Sequence, residues 1–190
     1  SMILHRIYQV QSGEVLRLSM RQVDTQLQVD IANTDNLSTS IHNDIIHAVK
    51  TMLNTGWDLS SFYDAMRDFE GYDWLEKEHK GRILIAPTIW EDLVKVLLTT
   101  NTTWAQTIQT SQRLCNLGTP HPTLADTYAF PTAHQIASLD FESLAEQLRA
   151  GYRTAYLYEL ANQIASGQLD VESWRAFDSD TLYKQVKSLK

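Results

Sequence analysis

The chain has 190 residues, of which 43% are hydrophobic and 21% are charged, an ordinary composition for a globular protein. A chain of this length can bury a core for one sizeable domain or two small ones. No apolar run reaches the roughly 18 to 20 residues that span a bilayer, so no membrane partner is expected. The N-terminus lacks the pattern of a secretory signal peptide, which favours an intracellular protein.

The formal net charge of −7 counts against nucleic-acid binding, because Lys and Arg supply most non-specific affinity for phosphates. The charge is a sum over the chain, however, and one basic or neutral face with helix N-termini and backbone amides is sufficient for such contacts. The single cysteine, Cys115, excludes an intramolecular disulfide and a Cys-based zinc site. It lies at an apolar helical position without a nearby histidine, so we expect a buried, unreactive thiol and neither a metal nor a cofactor.

Alternating polar and apolar residues in the N-terminal part predict β-structure. Two such runs, 15–20 and 25–31, flank a polar turn at Asp24 and predict a hairpin with one buried face. Residues 33–36 have a turn-like composition. Strands are therefore expected before any helix.

Two helices are predicted after this hairpin. Ser38 or Ser40 can cap a helix whose apolar residues recur with the helical period from 41 to 53, and Gly56 is expected to end it. Asp58 is a candidate N-cap for the second helix.

The segment 71–81 is charged and aromatic without a clear period, and 81–87 is expected to be an extended connection. We place a boundary near Lys80, which gives an N-terminal α+β domain, 1–80, and a helical domain, 81–190. The predicted fold class is α+β, with a small sheet-and-helix domain followed by an all-α domain. Apolar stripes of helical period support the second domain: Ile89, Leu93, Val96 and Leu97; Phe141, Leu144, Ala145 and Leu148 behind Asp140; Tyr156, Leu157, Leu160, Ala161 and Ile164; and Leu182, Val186 and Leu189.

Several segments of this helical part match a known pattern in order and spacing. They are 87–94 (PTIWEDLV), 99–104 (TTNTTW), 129–132 (AFPT) and 151–157 (GYRTAYL), with 58–63 (DLSSFY) preceding them. Together they resemble the helix-hairpin-helix (HhH-GPD) DNA glycosylase superfamily, in particular its 8-oxoguanine and 3-methyladenine branches. The resemblance covers about 82–190 and implies double-stranded DNA with a damaged base as the partner. In a bacterium it would place the protein in the cytoplasm with the nucleoid.

The resemblance ends before the motifs that carry the family's chemistry. Residues 186–190 (VKSLK) correspond to the position just before the family's glycine-rich hairpin, and the catalytic aspartate lies further on. We therefore expect the chain to be a fragment with no catalytic residue and no activity of its own. Residues 170–174 (DVESW) superficially match the aspartate motif, but they precede the hairpin position and are interpreted as a loop.

Enzymes that act on a base in a duplex must extrude the nucleotide, so they need a wedge and a donor for the orphaned partner base. By resemblance, Tyr152 is the wedge and Arg153 holds the orphaned base. The alternative is that Tyr152 packs in the core and Arg153 pairs with a nearby acid.

The loop 101–104 is implied to approach the opened DNA from the other side. Thr102 occupies the position where the 8-oxoguanine branch has an asparagine that fills the emptied space, and Asn101 keeps an amide one residue earlier. Trp104 could stack on a base, or it could anchor the next helix together with Ile108.

Two functions remain open at this point. The first is a DNA N-glycosylase of base excision repair that hydrolyses the glycosidic bond of an oxidised or alkylated purine, whether monofunctional or coupled to a lyase. The second is a non-catalytic module that binds DNA or a protein. In either case an apolar stripe on Leu182, Val186 and Leu189 without a partner would promote self-association.

Overall fold

A computed structural model describes residues 3–32 and 37–189. It begins with a three-stranded antiparallel sheet in the order β1 (Ile3–Gln9), β2 (Val15–Val23) and β3 (Gln26–Ile31). The predicted hairpin is confirmed as β2 and β3, joined at Asp24, which adopts a positive φ of 52°. The strand β1 was not predicted, and the turn expected at 33–36 lies outside the described residues.

The central strand carries the buried face of the sheet. Leu16, Leu18 and Met20 alternate along β2 and are all buried, as the period of two requires. Opposite them, residues such as Arg17 and Arg21 are less buried. The pattern is that of a sheet with one apolar face.

Residues Thr39–Pro87 form a compact unit that contains three helices in its described part: α1 (Thr39–Met52), α2 (Ser60–Arg67) and α3 (Trp74–Lys77). The helix α1 ends before the expected Gly56, because Asn54 already adopts a left-handed φ of 51°. The N-cap of α2 is Leu59 and not the predicted Asp58, although the carboxylate of Asp58 accepts a hydrogen bond from the backbone N–H of Ser60, the first helical residue, at 2.9 Å. The segment 71–81, which has no clear period in the sequence, contains the short helix α3.

The second unit comprises Ser1–Ser38 and Thr88–Lys190. The division into domains 1–80 and 81–190, with a boundary near Lys80, stays a prediction. In the described part of this unit the sheet is followed by helices, so the α+β class is confirmed. These are α4 (Ile89–Thr99), α5 (Trp104–Cys115), α6 (Ala133–Ala137), α7 (Phe141–Leu148), α8 (Arg153–Ala165), a 3₁₀ helix (Glu172–Ala176) and α9 (Ser179–Ser188).

The core of this unit is assembled from the apolar stripes of its helices. Leu98 of α4, Leu114 of α5, Leu144 of α7 and Leu157 of α8 are almost completely buried in one cluster. Local capping fixes where several of these helices begin. The carboxylate of Asp140 accepts from the backbone N–H of Ser143 at 2.8 Å, as predicted.

Among residues 3–32 and 37–189, every helix is too short or too polar to span a membrane.

A buried group of charges joins the sheet to α4 within this unit. The side chain of Glu91 is only 2% exposed and accepts from Arg6 Nη1 at 2.7 Å and from Lys95 Nζ at 2.5 Å. A second bond runs from Arg6 Nη2 to the same carboxylate. The sheet and the helical core are thus tied by a carboxylate with two cationic partners.

Candidate nucleic-acid interface

The helix α4 is positioned by a residue far along the sequence. The carboxylate of Glu172 accepts from the backbone N–H groups of Ile89 at 3.0 Å and Trp90 at 3.1 Å, which would otherwise be unpaired at the helix N-terminus. Trp174 is buried nearby in the 3₁₀ helix. The segment 170–174 therefore has a structural role in this fold, and its second part belongs to the 3₁₀ helix Glu172–Ala176 and not to the loop that the sequence predicts.

A tight turn connects the C-terminus of α4 to α5. Thr100 leaves the helix with extended backbone, and Asn101 follows with a positive φ of 45°. Thr103 then caps α5 through a capping box with Gln106. The hydroxyl of Thr102 donates to the same Gln106 carbonyl at 3.1 Å, so this side chain is held by the helix cap.

Arg153, the first residue of α8, closes this turn. Its Nε donates to the carbonyl of Thr100 at 2.7 Å, and its Nη2 donates to the carbonyls of Thr100 and Asn101, the latter at 2.8 Å. Its Nη1 donates to the carbonyl of Ala150 at 3.1 Å. The guanidinium thereby caps the C-terminus of α4, where orphan carbonyls favour a cation.

Tyr152 stands on the surface beside this arginine. Its side chain is 52% exposed, its ring centroid lies 4.9 Å from Arg153 Cζ, and its hydroxyl accepts from Asn101 Nδ2 at 3.0 Å. The ring of Tyr156 packs edge-on against it at a centroid distance of 6.0 Å. Hydrogen bonding by Thr100 and then Asn101 lowers the pKa of the Tyr152 phenol. The ring is thus oriented by polar contacts on one side and remains accessible.

The structure brings Asn101, Tyr152 and Arg153 together, and we refer to these three residues as the wedge cluster. The exposure of Tyr152 excludes the alternative in which it packs in the core. The partners of Arg153 are backbone carbonyls, and no carboxylate in the described chain pairs with it. Thr102 lies in the adjoining cap. The roles of these residues toward DNA stay predictions.

Trp104 lies apart from the wedge cluster. Its side chain is 72% exposed, and Ile108, one turn further along α5, is 44% exposed. Both line a groove of about 560 Å³ that also includes Cys115 and Tyr128. Trp104 therefore does not anchor α5 in the core, and stacking on a base stays a prediction.

Cys115 also lines this groove and is half-buried, not buried as the sequence predicts. Burial, followed by the nearby Glu91 carboxylate, raises the pKa of the thiol, as expected for an unreactive cysteine. Groups of three or more His, Cys, Asp or Glu side chains that could hold a metal ion do not occur among the residues the structure describes.

Two further concavities adjoin the wedge cluster. An apolar groove of about 400 Å³ is lined by Leu93, Leu97, Tyr152, Tyr156, Leu160 and Leu189, among others. A polar basin of about 360 Å³ is lined by Gln106, Gln109, Arg113, Arg149 and Arg153, with neighbours that include Asn101 and Thr110. Sequence reasoning missed Arg113 and Arg149, because neither belongs to a recognisable motif.

The fold can be compared with known proteins. No protein-family model and no curated protein matches the sequence. The solved structures, in contrast, contain similar chains that are named as DNA glycosylases, and their likeness to this chain establishes a shared fold.

Three of these structures illustrate the likeness. The 3-methyladenine DNA glycosylase from Archaeoglobus fulgidus has a TM-score of 0.73 at 14% identity over 100% of this chain. A structure of MBOgg1 in complex with a low-affinity DNA ligand has a TM-score of 0.70 at 18% identity over 97% of this chain. The Clostridium acetobutylicum 8-oxoguanine glycosylase/lyase, bound to duplex DNA with cytosine opposite 8-oxoguanine, has a TM-score of 0.66 at 16% identity and 97% coverage. This chain spans 63% to 64% of the length of these proteins.

Proposed function

We propose that this chain is the DNA-opening part of a helix-hairpin-helix DNA glycosylase that acts on oxidised or alkylated purines in base excision repair. The observation that carries the proposal is the wedge cluster, an exposed tyrosine held by an asparagine and an arginine on a glycosylase fold. The glycosylases of known structure that share this fold include proteins solved with DNA.

The contacts of Tyr152 suit the role of a wedge. A ring that replaces an extruded nucleotide in the base stack must be accessible and must already point outward. The Asn101 amide on its hydroxyl and the Tyr156 ring at its edge restrict its rotation before DNA arrives. Less conformational entropy is then lost on insertion.

Arg153 has a more restricted role in this proposal than a free arginine would have. Its Nε–H, one Nη1–H and both Nη2–H groups already donate to backbone carbonyls. A guanidinium has five such donors, so one Nη1–H remains for the orphaned base. We infer that Arg153 mainly positions the turn with Asn101 and offers the orphaned base a single hydrogen bond.

The bond-breaking step is not assigned to any residue of this chain. A glycosylase of this class needs an acidic residue beside the flipped nucleotide, and the wedge cluster contains none. The apolar groove beside Tyr152 has Glu159 in its lining, but this carboxylate accepts from Gln163 Nε2 at 2.7 Å, and we assign it no catalytic role. We propose that the 190 residues alone do not release a base. A single-turnover assay on 8-oxoguanine and alkylated-purine duplexes checks this, and enzyme-dependent base release by the purified chain would contradict it.

The wedge is tested with duplexes that carry 2-aminopurine, whose fluorescence rises when it is unstacked. We expect the chain to raise the fluorescence of a fully paired duplex and Tyr152→Ala to weaken that effect, because an aromatic platform contributes about 1 to 3 kcal/mol per base. On a duplex with an unpaired central bubble the loss should shrink. Tyr183→Ala is the matched control, since Tyr183 is an exposed tyrosine on α9. Equal losses on paired and bubble duplexes would contradict the role of Tyr152 as a wedge.

A non-catalytic binding module is the second candidate. It is favoured by α9, which buries none of its residues and leaves Leu182 and Val186 exposed. Self-association through this stripe is then expected. Sedimentation of the native chain and of Val186→Glu tests it: a native dimer that the variant dissociates supports self-association, and a native monomer that binds no hydrophobic dye opposes it.

A further inference from the structure

The polar basin next to the wedge cluster contains three arginines from different elements. Arg113 comes from α5, Arg149 follows α7, and Arg153 begins α8. The described residues that line the basin include no carboxylate, although acidic residues outnumber basic ones, 23 to 16, in the chain. Cationic groups are therefore concentrated in a concave, uncompensated site on an acidic protein.

Two of the three arginines have guanidinium groups available for a ligand. No hydrogen bond or ion pair of the Arg113 side chain is found within residues 3–32 and 37–189, and this side chain is partly buried. Arg149 donates only from Nε, to the carbonyl of Glu146 at 3.3 Å. Arg149 is exposed, and neither guanidinium has a carboxylate partner among the described residues, so both suit an anion that accepts several N–H groups at once.

The backbone at Arg149 adds an independent observation. Arg149 ends α7 in the left-handed conformation, with φ 52° and ψ 42°, where glycine is the usual residue. A side chain at this position costs stability, and such strain points to a role for the side chain. Here that side chain is one of the three cations of the basin.

We propose that the basin binds a backbone phosphate of DNA close to the nucleotide that the Tyr152 wedge displaces. Arg113 and Arg149 contact the phosphate oxygens, and the side-chain amides of Gln106 and Gln109 supply neutral donors beside them. This inference rests on the proposed function for the identity of the ligand. It assigns Arg113 and Arg149 to positioning of the duplex, separate from any readout of the orphaned base.

Salt-dependent binding separates phosphate contacts from base contacts. The affinity of the native chain and of Arg113→Gln/Arg149→Gln is measured by fluorescence anisotropy at several salt concentrations, on duplexes with each of four bases opposite an abasic analogue. We expect the double variant to bind about ten-fold more weakly on all four duplexes, with the slope of log K against log salt reduced by about one. Lys77→Gln/Lys184→Gln, which removes two exposed charges elsewhere, should leave the slope unchanged.

Arg149→Gly separates binding from folding. Glycine accepts the left-handed backbone, so this variant should unfold about 2 °C higher than the native chain while it binds DNA more weakly. Weaker binding together with a lower unfolding temperature would point to a structural role of Arg149. An effect confined to one opposite base, or an equal slope change in the lysine control, would overturn the proposal.

A titration with inorganic phosphate distinguishes failure of this inference from failure of the proposed function. We expect the Nε–H NMR resonances of Arg113 and Arg149 to shift as phosphate is added. If the native chain unstacks DNA through Tyr152 and the double variant binds equally well, the basin is overturned and the proposed function stands. If the chain does not bind DNA, the proposed function fails. Shifts of the two resonances with phosphate would then support the basin as a site for another phosphate ligand. If phosphate causes no shift either, the basin and the proposed function are both overturned.

Discussion

The Nε of Arg153 donates to the carbonyl of Thr100 at 2.7 Å, so the first residue of α8 caps the last turn of α4. The sequence separates these residues by 53 positions. The bond fixes the turn that carries Asn101, and with it one of the contacts to Tyr152. Stability and the arrangement of the wedge cluster are therefore coupled at one guanidinium.

Replacement of this arginine should destabilise the fold. Arg153→Ala leaves the carbonyls of Thr100 and Asn101 without their cation, so we expect a loss of about 2 kcal/mol in the free energy of unfolding. Arg153→Lys should recover only part of it, because an ammonium cannot reproduce the planar fork. Urea denaturation measures both. The control is Arg67→Ala, since Arg67 is exposed and solvent screens its ion pair with Glu76, so its loss should be much smaller. Equal losses for Arg67→Ala and Arg153→Ala would contradict the capping role.

The buried carboxylate of Glu91 should be the most sensitive charge in the described chain. Glu91→Ala strands the partly buried Arg6, whose Nε already lacks a partner among the described residues, so we expect a loss of about 3 to 5 kcal/mol. The double change Arg6→Met with Glu91→Leu should restore much of the stability, because the one charge that then loses its partner, Lys95, is 48% exposed and stays solvated. A double-mutant cycle from chemical denaturation tests both statements. Additive losses would show that the two side chains do not interact.

Gly118 should tolerate no side chain. A Cβ there would lie 1.9 Å from the carbonyl oxygen of Ala129, and this backbone is held because Ala129 N donates to Thr119 O at 2.9 Å. We expect Gly118→Ala to lose about 3 kcal/mol or more, or to fail to fold. Gly56→Ala is the control, since no atom lies within 4 Å of its Cβ position. Thermal unfolding compares them, and a Gly118→Ala variant as stable as the control would contradict the packing.

Cys115 should react slowly with alkylating agents at neutral and mildly alkaline pH. Its raised pKa lowers the fraction of reactive thiolate throughout that range, so the rate should rise only at a pH above that of an ordinary cysteine. The rate of iodoacetamide modification is measured against pH for the folded chain and for the chain in urea. A folded chain that reacts as fast as the unfolded one at pH 8 would contradict the raised pKa of Cys115.

Local patterns in the sequence were sufficient for much of the fold. The stripe that begins at Ile89 predicted α4, and Asp140 predicted the start of α7, because period and capping depend on neighbouring residues. The strand β1 was missed because Ile3–Gln9 does not alternate between apolar and polar residues, and only β2 defines its register. Residues that depend on a distant partner are not visible in a local window.

In the candidate site, too, local motifs could be predicted, whereas contacts between distant residues could not. The segment 151–157 identified Tyr152 and Arg153 through a motif, whereas the contact of Tyr152 with Asn101 joins residues 51 positions apart. Arg113 and Arg149 meet in the basin only because α5 and α7 pack together. Within the described chain, the partners of Arg153 are backbone carbonyls at the end of α4 and not the nearby acid of one interpretation, whereas its contact with an orphaned DNA base stays a prediction.

The helix α4 receives a negative side chain at its N-terminus, from Glu172, and a positive one at its C-terminus, from Arg153. Both come from residues that a ribosome adds more than 50 positions after the helix itself. A nascent chain that ends before residue 153 therefore holds α4 with frayed ends, and the turn at Asn101 has no fixed shape. The surface proposed to meet DNA would become ordered only when the C-terminal third closes onto it, which makes this surface one of the last parts of the unit to form.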